Sequence, residues 1–104
     1  MNTIKKIQDQ IKKNPILIYI KGSPESPSCG FSAQAIQALS SCCEKFAYID
    51  ILKHSDIRIE LPKYANWPTF PQLWINGKLI GGCNIILELF NSGELKRLVT
   101  EATK

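Results

Sequence analysis

The segment ILIYIKGSPESPSCGFSAQAIQALSSCCEKFAYID, residues 16–50, reads as a strand, a loop, a helix and a second strand. The apolar run over residues 16–20 predicts a buried strand that ends at Lys21, and the alternation over residues 46–50 predicts another. The prolines and glycine of residues 22–28 require a loop, and apolar residues then recur at helical spacing over residues 29–41. A strand, helix and strand in this order favour a right-handed crossover between parallel strands, so the segment indicates an α/β fold.

The amino-terminal side of this segment predicts a helix. Thr3 is suited to cap it, an apolar stripe continues through Ile7 and Ile11, and the pair Asn14-Pro15 ends it. On the carboxyl-terminal side, Ser55 and Asp56 open a helix that we expect Pro62 to keep short. The predicted order therefore begins with a helix, followed by the strand-helix-strand unit and then a third helix, which is short.

The last third of the chain predicts a hairpin followed by two helices. Asn76-Gly77 stands between the apolar runs 72–75 and 78–80, and Asn-Gly in that setting is the strongest short-range signal for a tight two-residue turn. The glycines and cysteine at 81–83 lead into a helix that ends at residues 91–93, and residues 94–102 form the last helix.

Composition and charge exclude several classes of protein. The 104 residues are 44% hydrophobic and 21% charged, as in ordinary globular proteins, and no linker divides residues 1–104, so we expect one domain. A net charge of +4 is too small and too scattered to indicate a nucleic-acid partner. The longest apolar run, Ile16–Ile20, falls far short of the ~20 residues that cross a bilayer. The charged first residues lack a secretory signal, so we expect a cytoplasmic protein with no membrane partner.

Cys29 is the strongest candidate for a reactive group. It stands between a proline-rich loop and a predicted helix, so its sulfur can approach the unpaired N–H groups and the positive end of the helix dipole. Lys21, at the end of the preceding strand, adds a cation on the same side. Both features favour the thiolate, which is the nucleophile and the metal ligand. The alternative is a small buried hydrophobic residue.

The remaining cysteines do not form a dithiol site with Cys29. The residue three places later is Ser32, so no local disulfide can close. Cys42 and Cys43 are predicted about 20 Å further along the helix, whereas a disulfide tolerates Cα separations up to about 7 Å, and we expect them to pack near the helix end. Cys83 has two interpretations: a thiol that resolves Cys29, or a small residue whose backbone N–H binds an anion. The second is favoured.

The Phe70-Pro71 step is a further candidate for binding. An X-Pro bond that enters a strand can be cis, and the N–H and C=O of Phe70 are then unpaired by the sheet and free to hold an extended, peptide-like ligand. The alternative is an ordinary trans turn, which propensity alone favours.

Three motifs occur in a familiar order: KGSPESPSCGFS at residues 21–32, WPTFPQ at residues 67–72 and GGC at residues 81–83. With the intervening LPKYAN of residues 61–66, they resemble the CGFS monothiol glutaredoxins, specifically the short single-domain bacterial type, over essentially the whole chain. This resemblance implies a thioredoxin-like fold, in which a four-stranded mixed sheet is flanked by helices and a cis Pro71 faces the reactive cysteine.

The resemblance also implies a glutathione site beside Cys29. Lys21 and Arg58 would meet the glycine carboxylate, and Phe70 would pair through its backbone with the cysteinyl portion. The turn at residues 82–84 would hold the γ-glutamyl end. The implied binding residues are Lys21, Arg58, Thr69, Phe70, Pro71, Gly82, Cys83 and Asn84.

Family members carry a 2Fe-2S cluster across a homodimer, and the resemblance implies the same cargo here. Such a cluster takes four thiolates. Two copies of Cys29 supply two, and two glutathione molecules supply the others. The implied partners are BolA-type proteins and recipient apo iron-sulfur proteins. The alternatives are a glutathione-dependent thiol-disulfide oxidoreductase acting through Cys29, and a regulatory adaptor that works with a BolA-type partner.

One residue departs from the family pattern. The family usually has Asp after Gly-Gly-Cys, whereas this chain has Asn84. A neutral acceptor is weaker than an ionised one, so we expect the substitution to lower glutathione affinity and shorten the cluster lifetime.

Overall fold

The computed structural model describes residues 2–104, which form a four-stranded sheet and five helices. Among these residues, none of the helices is both long enough and apolar enough to cross a bilayer. The elements in chain order are α1 (Thr3–Lys13), β1 (Ile16–Ile20), α2 (Gly30–Cys42), β2 (Ala47–Asp50), α3 (Ser55–Ala65), β3 (Gln72–Ile75), β4 (Lys78–Gly81), α4 (Cys83–Ser92) and α5 (Glu94–Ala102).

The sheet is mixed, in the order β2-β1-β3-β4. Strands β1 and β2 are parallel, and the other neighbouring pairs are antiparallel. The strand-helix-strand unit predicted from the sequence pattern and the four-stranded mixed sheet implied by the resemblance are therefore confirmed. Because β1 and β2 run in the same direction, their carboxyl ends lie side by side, and the loops that follow them meet at one edge of the sheet.

Two hydrophobic cores cover the two faces of the sheet. All of β1 is buried, because its alternate residues enter opposite cores. Ile18 and Ile20 pack on the α2-side core, which helices α2, α4 and α5 complete. Leu17 and Tyr19 pack on the α3-side core, which helices α1 and α3 complete.

The hairpin between β3 and β4 is confirmed. Asn76 and Gly77 form its turn with φ values of 50° and 78°. Positive φ at both central residues is the requirement of a type I′ turn, which Asn and Gly accept more readily than other residues. The helices predicted after residue 82 and from residue 94 are also present.

Two details of the helix starts differ from the sequence analysis. Asn2, rather than Thr3, caps α1, because its Oδ1 accepts a hydrogen bond from the Ile4 N–H at 2.8 Å. Thr3 is the first helical residue instead, and its hydroxyl lies 3.4 Å from Asp56. Helix α2 begins at Gly30, with Cys29 as its N-cap.

The prediction that Pro62 keeps the third helix short was wrong. Helix α3 has 11 residues and continues through Pro62 to Ala65. A proline in a helix removes one N–H donor, but buried Ile57 and Leu61 hold the inner face of α3 against the core. The helix ends one turn later, where the Trp67 N–H donates to the Pro62 carbonyl at 3.0 Å.

Candidate active site

Cys29 lies at the end of the loop between β1 and α2. This loop is held by its own backbone: the Ser28 N–H donates to the Lys21 carbonyl at 2.8 Å, and Ser26 and Ser23 exchange backbone hydrogen bonds. Gly22 has a φ of 95°, and a Cβ there would stand 2.6 Å from the Ser26 carbonyl oxygen. Only glycine allows the loop to close this tightly. The loop therefore delivers Cys29 to the N-terminus of α2 in a defined position.

Hydrogen bonds surround the sulfur of Cys29. The Ser32 N–H donates to Sγ at 3.3 Å, and the Ser32 hydroxyl oxygen lies 3.4 Å from the same atom. That oxygen accepts a hydrogen bond from the Lys21 N–H at 3.2 Å. With its acceptor side occupied in this way, the fully buried Ser32 hydroxyl can turn its proton toward Sγ.

The pKa of Cys29 is lower than that of an ordinary cysteine thiol. Partial burial raises the pKa, but the Ser32 hydroxyl, the N–H groups of Ser32 and Phe31 and the charge of Lys21 together outweigh it. Hydrogen bonds and a nearby cation both favour the charged form. Cys29 is half-buried, so the residue is in contact with solvent as well as ionisable. The arrangement is that of a nucleophilic or metal-binding thiolate.

A groove of about 680 Å³ runs beside the cysteine. Seven of the eight binding residues that the resemblance implied line this groove. Cys29 itself does not line it, although Lys21 and Cys83 do and both interact electrostatically with Cys29. The predicted residues along the groove are Lys21, Arg58, Thr69, Phe70, Gly82, Cys83 and Asn84.

The groove offers two kinds of anion-binding group. Lys21, at the end of β1, and Arg58, on α3, supply two cations. The N-terminus of α4 supplies backbone N–H groups, because its N-cap, Gly82, has no side chain to accept from them. A Cβ at Gly82 would lie 3.3 Å from the Pro71 carbonyl oxygen, so glycine lets these two backbones approach. The site therefore suits a ligand with more than one negative charge.

The lining of the groove also includes Phe70, which precedes Pro71. The peptide bond between them is cis, as the resemblance implied and contrary to the trans form that propensity favours. Strand pairing with β1 begins only at Gln72, so the backbone of Phe70 lies outside the ladder. Pro71 itself is buried and does not line the groove. Thr69 and Phe70 both line the groove.

Cys83 is the first residue of α4 and is buried. Its Sγ lies 3.7 Å from Gln34 Oε1, the acceptor for the thiol proton. Burial raises the pKa of Cys83, and the nearby charge of Cys29 raises it further. A protonated, hydrogen-bonded thiol fits the interpretation of Cys83 as a small residue that contributes its backbone.

Cys42 and Cys43 lie at the far end of α2 from Cys29. Both are half-buried and pack against the α2-side core, as predicted. Burial raises the pKa of Cys42. Within residues 2–104, no three His, Cys, Asp or Glu side chains come together as a metal site.

Several residues of this region were not predicted from the sequence. Phe31 and Trp67 line the groove, and the indole Nε1 of Trp67 is the one buried side-chain nitrogen or oxygen without a hydrogen-bond partner among residues 2–104. Ser32 was used only to exclude a local disulfide with Cys29, and no role was predicted for Asp50. The signal for Asp50 was available: a carboxylate at the carboxyl end of one parallel strand faces the loop that follows the other.

A family model, Glutaredoxin, matches residues 16–80. The chain belongs to the glutaredoxin family. "Glutaredoxin 4" of Buchnera aphidicola subsp. Baizongia pistaciae is 73% identical to this glutaredoxin over 101 residues, which are 97% of this chain and 94% of the relative.

Two solved structures extend the comparison to the fold. Reduced poplar apo GrxS14 in solution has a TM-score of 0.80 and 38% identity, over 96% of this chain and 93% of the poplar chain. A buckwheat glutaredoxin-glutathione complex has a TM-score of 0.83 and 25% identity, over 96% of this glutaredoxin and 89% of the buckwheat chain. The predicted thioredoxin-like fold is confirmed.

Proposed function

We propose that this glutaredoxin binds glutathione in the groove beside Cys29. Glutathione carries two carboxylates, and the groove offers Lys21 and Arg58 on one side and the free N–H groups of α4 on the other. The backbone of Phe70, which no strand pairs, suits the extended peptide between the two carboxylates. The similarity to a buckwheat glutaredoxin solved as a complex with glutathione supports the proposal.

The protein is a monothiol glutaredoxin whose cargo is a 2Fe-2S cluster held between two protomers. One observation carries this proposal: Cys29 is an accessible sulfur of lowered pKa, with a serine hydroxyl where a second thiol would be needed to oxidise it. A 2Fe-2S cluster takes four thiolates. Cys29 of each protomer supplies one, and a glutathione bound beside each cysteine supplies the other two.

The proposed role is carriage of the cluster to apo iron-sulfur proteins in the cytoplasm. Half of the ligands are exchangeable small molecules, so the cluster can leave without any break in the protein fold. BolA-type proteins are the proposed alternative partners of the same cysteine. Both kinds of partner require Cys29 to stay reduced, and Cys83, held as a protonated thiol by Gln34, does not compete for it in the resting protein.

Anaerobic reconstitution with iron, sulfide and glutathione tests the proposal. Absorption spectra and size-exclusion chromatography should reveal a brown dimer in the parent protein and a colourless monomer in Cys29→Ser. Cys42→Ser is the matched control, since it removes a thiol at the other end of α2, and it should retain the dimer. Omission of glutathione should also abolish it. A cluster that survives Cys29→Ser or the omission of glutathione would contradict the proposal.

The second candidate is a glutathione-dependent thiol-disulfide oxidoreductase, which the same lowered pKa favours. The Cys29 thiolate would attack the glutathione sulfur of a protein-glutathione mixed disulfide, break that S–S bond and release the protein thiolate. A second glutathione thiolate would then attack the glutathione sulfur on Cys29, and glutathione disulfide would leave. No colour after reconstitution, together with rapid turnover of a glutathionylated peptide, would support this candidate over the carrier.

A further inference from the structure

Asp50 joins the two loops that follow the parallel strands. It is the last residue of β2, and its Oδ1 accepts a hydrogen bond from the Gly22 N–H at 3.0 Å and another from the Leu52 N–H at 2.9 Å. Gly22 belongs to the loop after β1, and Leu52 belongs to the turn after β2. One carboxylate oxygen therefore links the two segments, next to the backbone hydrogen bond that the Ile51 N–H donates to the Ile20 carbonyl at 2.9 Å.

Each of these segments carries one of the groove cations. Lys21 immediately precedes Gly22, and its carbonyl is also tied to the Ser28 N–H. The turn at residues 51–54 leads directly into α3, where the Arg58 N–H donates to the His54 carbonyl at 3.0 Å. The side chains of Lys21 and Arg58 line the same groove. The spacing of the two cations thus depends on the spacing of the two backbone segments.

We infer that Asp50 is a positioning residue that holds Lys21 and Arg58 at the separation at which both meet one carboxylate of the bound ligand. This inference rests on the proposed glutathione site. The carboxylate in question is the glycine carboxylate of glutathione, and Asp50 acts on it only through the two cations. The backbone N–H groups of Gly22 and Leu52 both donate to the same oxygen of Asp50, which suits the role of a fixed clamp.

Four variants separate this role from a general contribution to the fold. Asp50→Ala removes both hydrogen bonds, and Asp50→Glu keeps the charge but displaces the carboxylate by one methylene. Asp50→Asn keeps the Oδ1 acceptor and loses the charge. Asp9→Ala is the matched control, because it makes the same change in net charge at an exposed pair with Lys5 on α1.

The readout is the ratio of two dissociation constants, for reduced glutathione and for its glycyl ethyl ester, from amide chemical-shift titrations. The parent protein should bind glutathione more tightly than the ester. Asp50→Ala should lower that preference by about threefold to tenfold, the range expected for one or two hydrogen bonds near a partly exposed site. Asp50→Asn and Asp9→Ala should keep it. A loss of stability alone would weaken both ligands equally and leave the ratio unchanged.

The outcomes separate the inference from the proposed function. If the parent protein binds neither ligand, the glutathione site is wrong and the inference falls with it. If the parent prefers glutathione and Asp50→Ala keeps the same ratio, only the inference is overturned. If Asp50→Asn loses the preference as Asp50→Ala does, the charge and not the hydrogen bonds is responsible, which also overturns it. If Asp50→Ala does not fold, Asp50→Glu takes its place. A lowered preference for glutathione in Asp50→Glu then supports the inference, and an unchanged ratio overturns it.

Discussion

Ser32 shows how one buried hydroxyl adapts a cysteine to a monothiol site. It occupies the position where a dithiol site has its second sulfur, and it accepts from the Lys21 N–H while its own oxygen lies 3.4 Å from Cys29 Sγ. A second thiol there could oxidise against Cys29, whereas a hydroxyl can only donate a hydrogen bond to the thiolate. The same position therefore removes a disulfide and favours the reactive form.

Ser32→Ala should slow the alkylation of Cys29 by iodoacetamide at neutral pH by about threefold to tenfold, the effect of one hydrogen bond to a partly exposed charge. Ser32 and its neighbours lower the pKa of Cys29 from the ordinary 9.0, so its thiolate persists to lower pH than in an ordinary cysteine. The variant's pKa should move back toward that value, and its rate profile should shift to higher pH.

The two rate profiles should converge above about pH 11, roughly two pH units above the pKa of an ordinary thiol, where the cysteine is almost fully ionised in both proteins. Ser41→Ala is the control, because Ser41 lies at the opposite end of α2 and donates to the Gln37 carbonyl. Its profile should match that of the parent. Coincident profiles for the Ser32→Ala variant and the parent would contradict the assigned role.

Asn84→Asp should tighten glutathione binding by about threefold to tenfold, because a carboxylate is a stronger acceptor for the γ-glutamyl amine than an amide oxygen. Asn84 is exposed at the second position of α4 and lines the groove, so the change needs no repacking. Isothermal titration calorimetry measures the affinity. Asn91→Asp, near the other end of α4, controls for the added charge. Equal affinities of the parent and the Asn84→Asp variant would contradict the prediction.

At the scale of elements, two turns use glycine for different reasons. Gly22 has positive φ, and its surroundings leave no room for a side chain. An added Cβ would lie 2.6 Å from the Ser26 carbonyl oxygen and 2.7 Å from the Ser28 nitrogen. Gly77 in the hairpin also has positive φ, but an added Cβ would meet no atom of residues 2–104 within 4 Å apart from those of its two chain neighbours. The loop before Cys29 therefore tolerates less change than the hairpin turn.

Gly77→Ala should lower the free energy of unfolding by about 1 kcal/mol, the usual cost of a side chain at positive φ. Gly22→Ala should lower it by more than about 3 kcal/mol, because backbone atoms must also move. Urea unfolding followed by circular dichroism measures both. Similar losses for the two variants would mean that the loop relaxes freely, and Cys29 would then not be held by it.

At the scale of the whole molecule, the two cores are coupled through the sheet. Alternate residues of β1 enter opposite cores, so neither core can loosen while the strand stays in place. Leu39 is fully buried in the α2-side core, and Trp74 lies in the α3-side core. A perturbation on one face should therefore appear in a probe on the other.

Leu39→Ala should lower the free energy of unfolding by about 2–5 kcal/mol, the range for a cavity left by a buried leucine. Fluorescence of Trp74, measured in a Trp67→Phe background, and far-UV circular dichroism should give the same unfolding midpoint in urea. Ile59→Ala is the control, since Ile59 is 59% exposed, and it should change the stability by less than about 0.5 kcal/mol. Separate midpoints for the two probes would contradict the coupling.

Local patterns in the sequence were enough to predict the elements and the reactive cysteine. The period of the apolar residues predicts β1 and α2, Asn76-Gly77 predicts the hairpin, and the loop before a helix start marks Cys29, because each depends on neighbours in the chain. The thioredoxin-like fold and the roles of Arg58 and Asn84 in the groove were available only through the resemblance to glutaredoxins. Continuation of α3 through Pro62 could not be predicted, because packing of its inner face outweighs the local preference of proline.

The tertiary structure alone decided which distant groups meet. Asp50 accepts from Gly22 across 28 positions of the chain, and Cys83 lies against Gln34 across 49, contacts that no local pattern encodes. Whether Ser32 acts on Cys29, and whether Lys21 and Arg58 share a groove, likewise depends on how parallel strands and helices bring separate segments together. Residue types determine what each group can do chemically, whereas the distances and directions between groups arise only once the whole chain has packed.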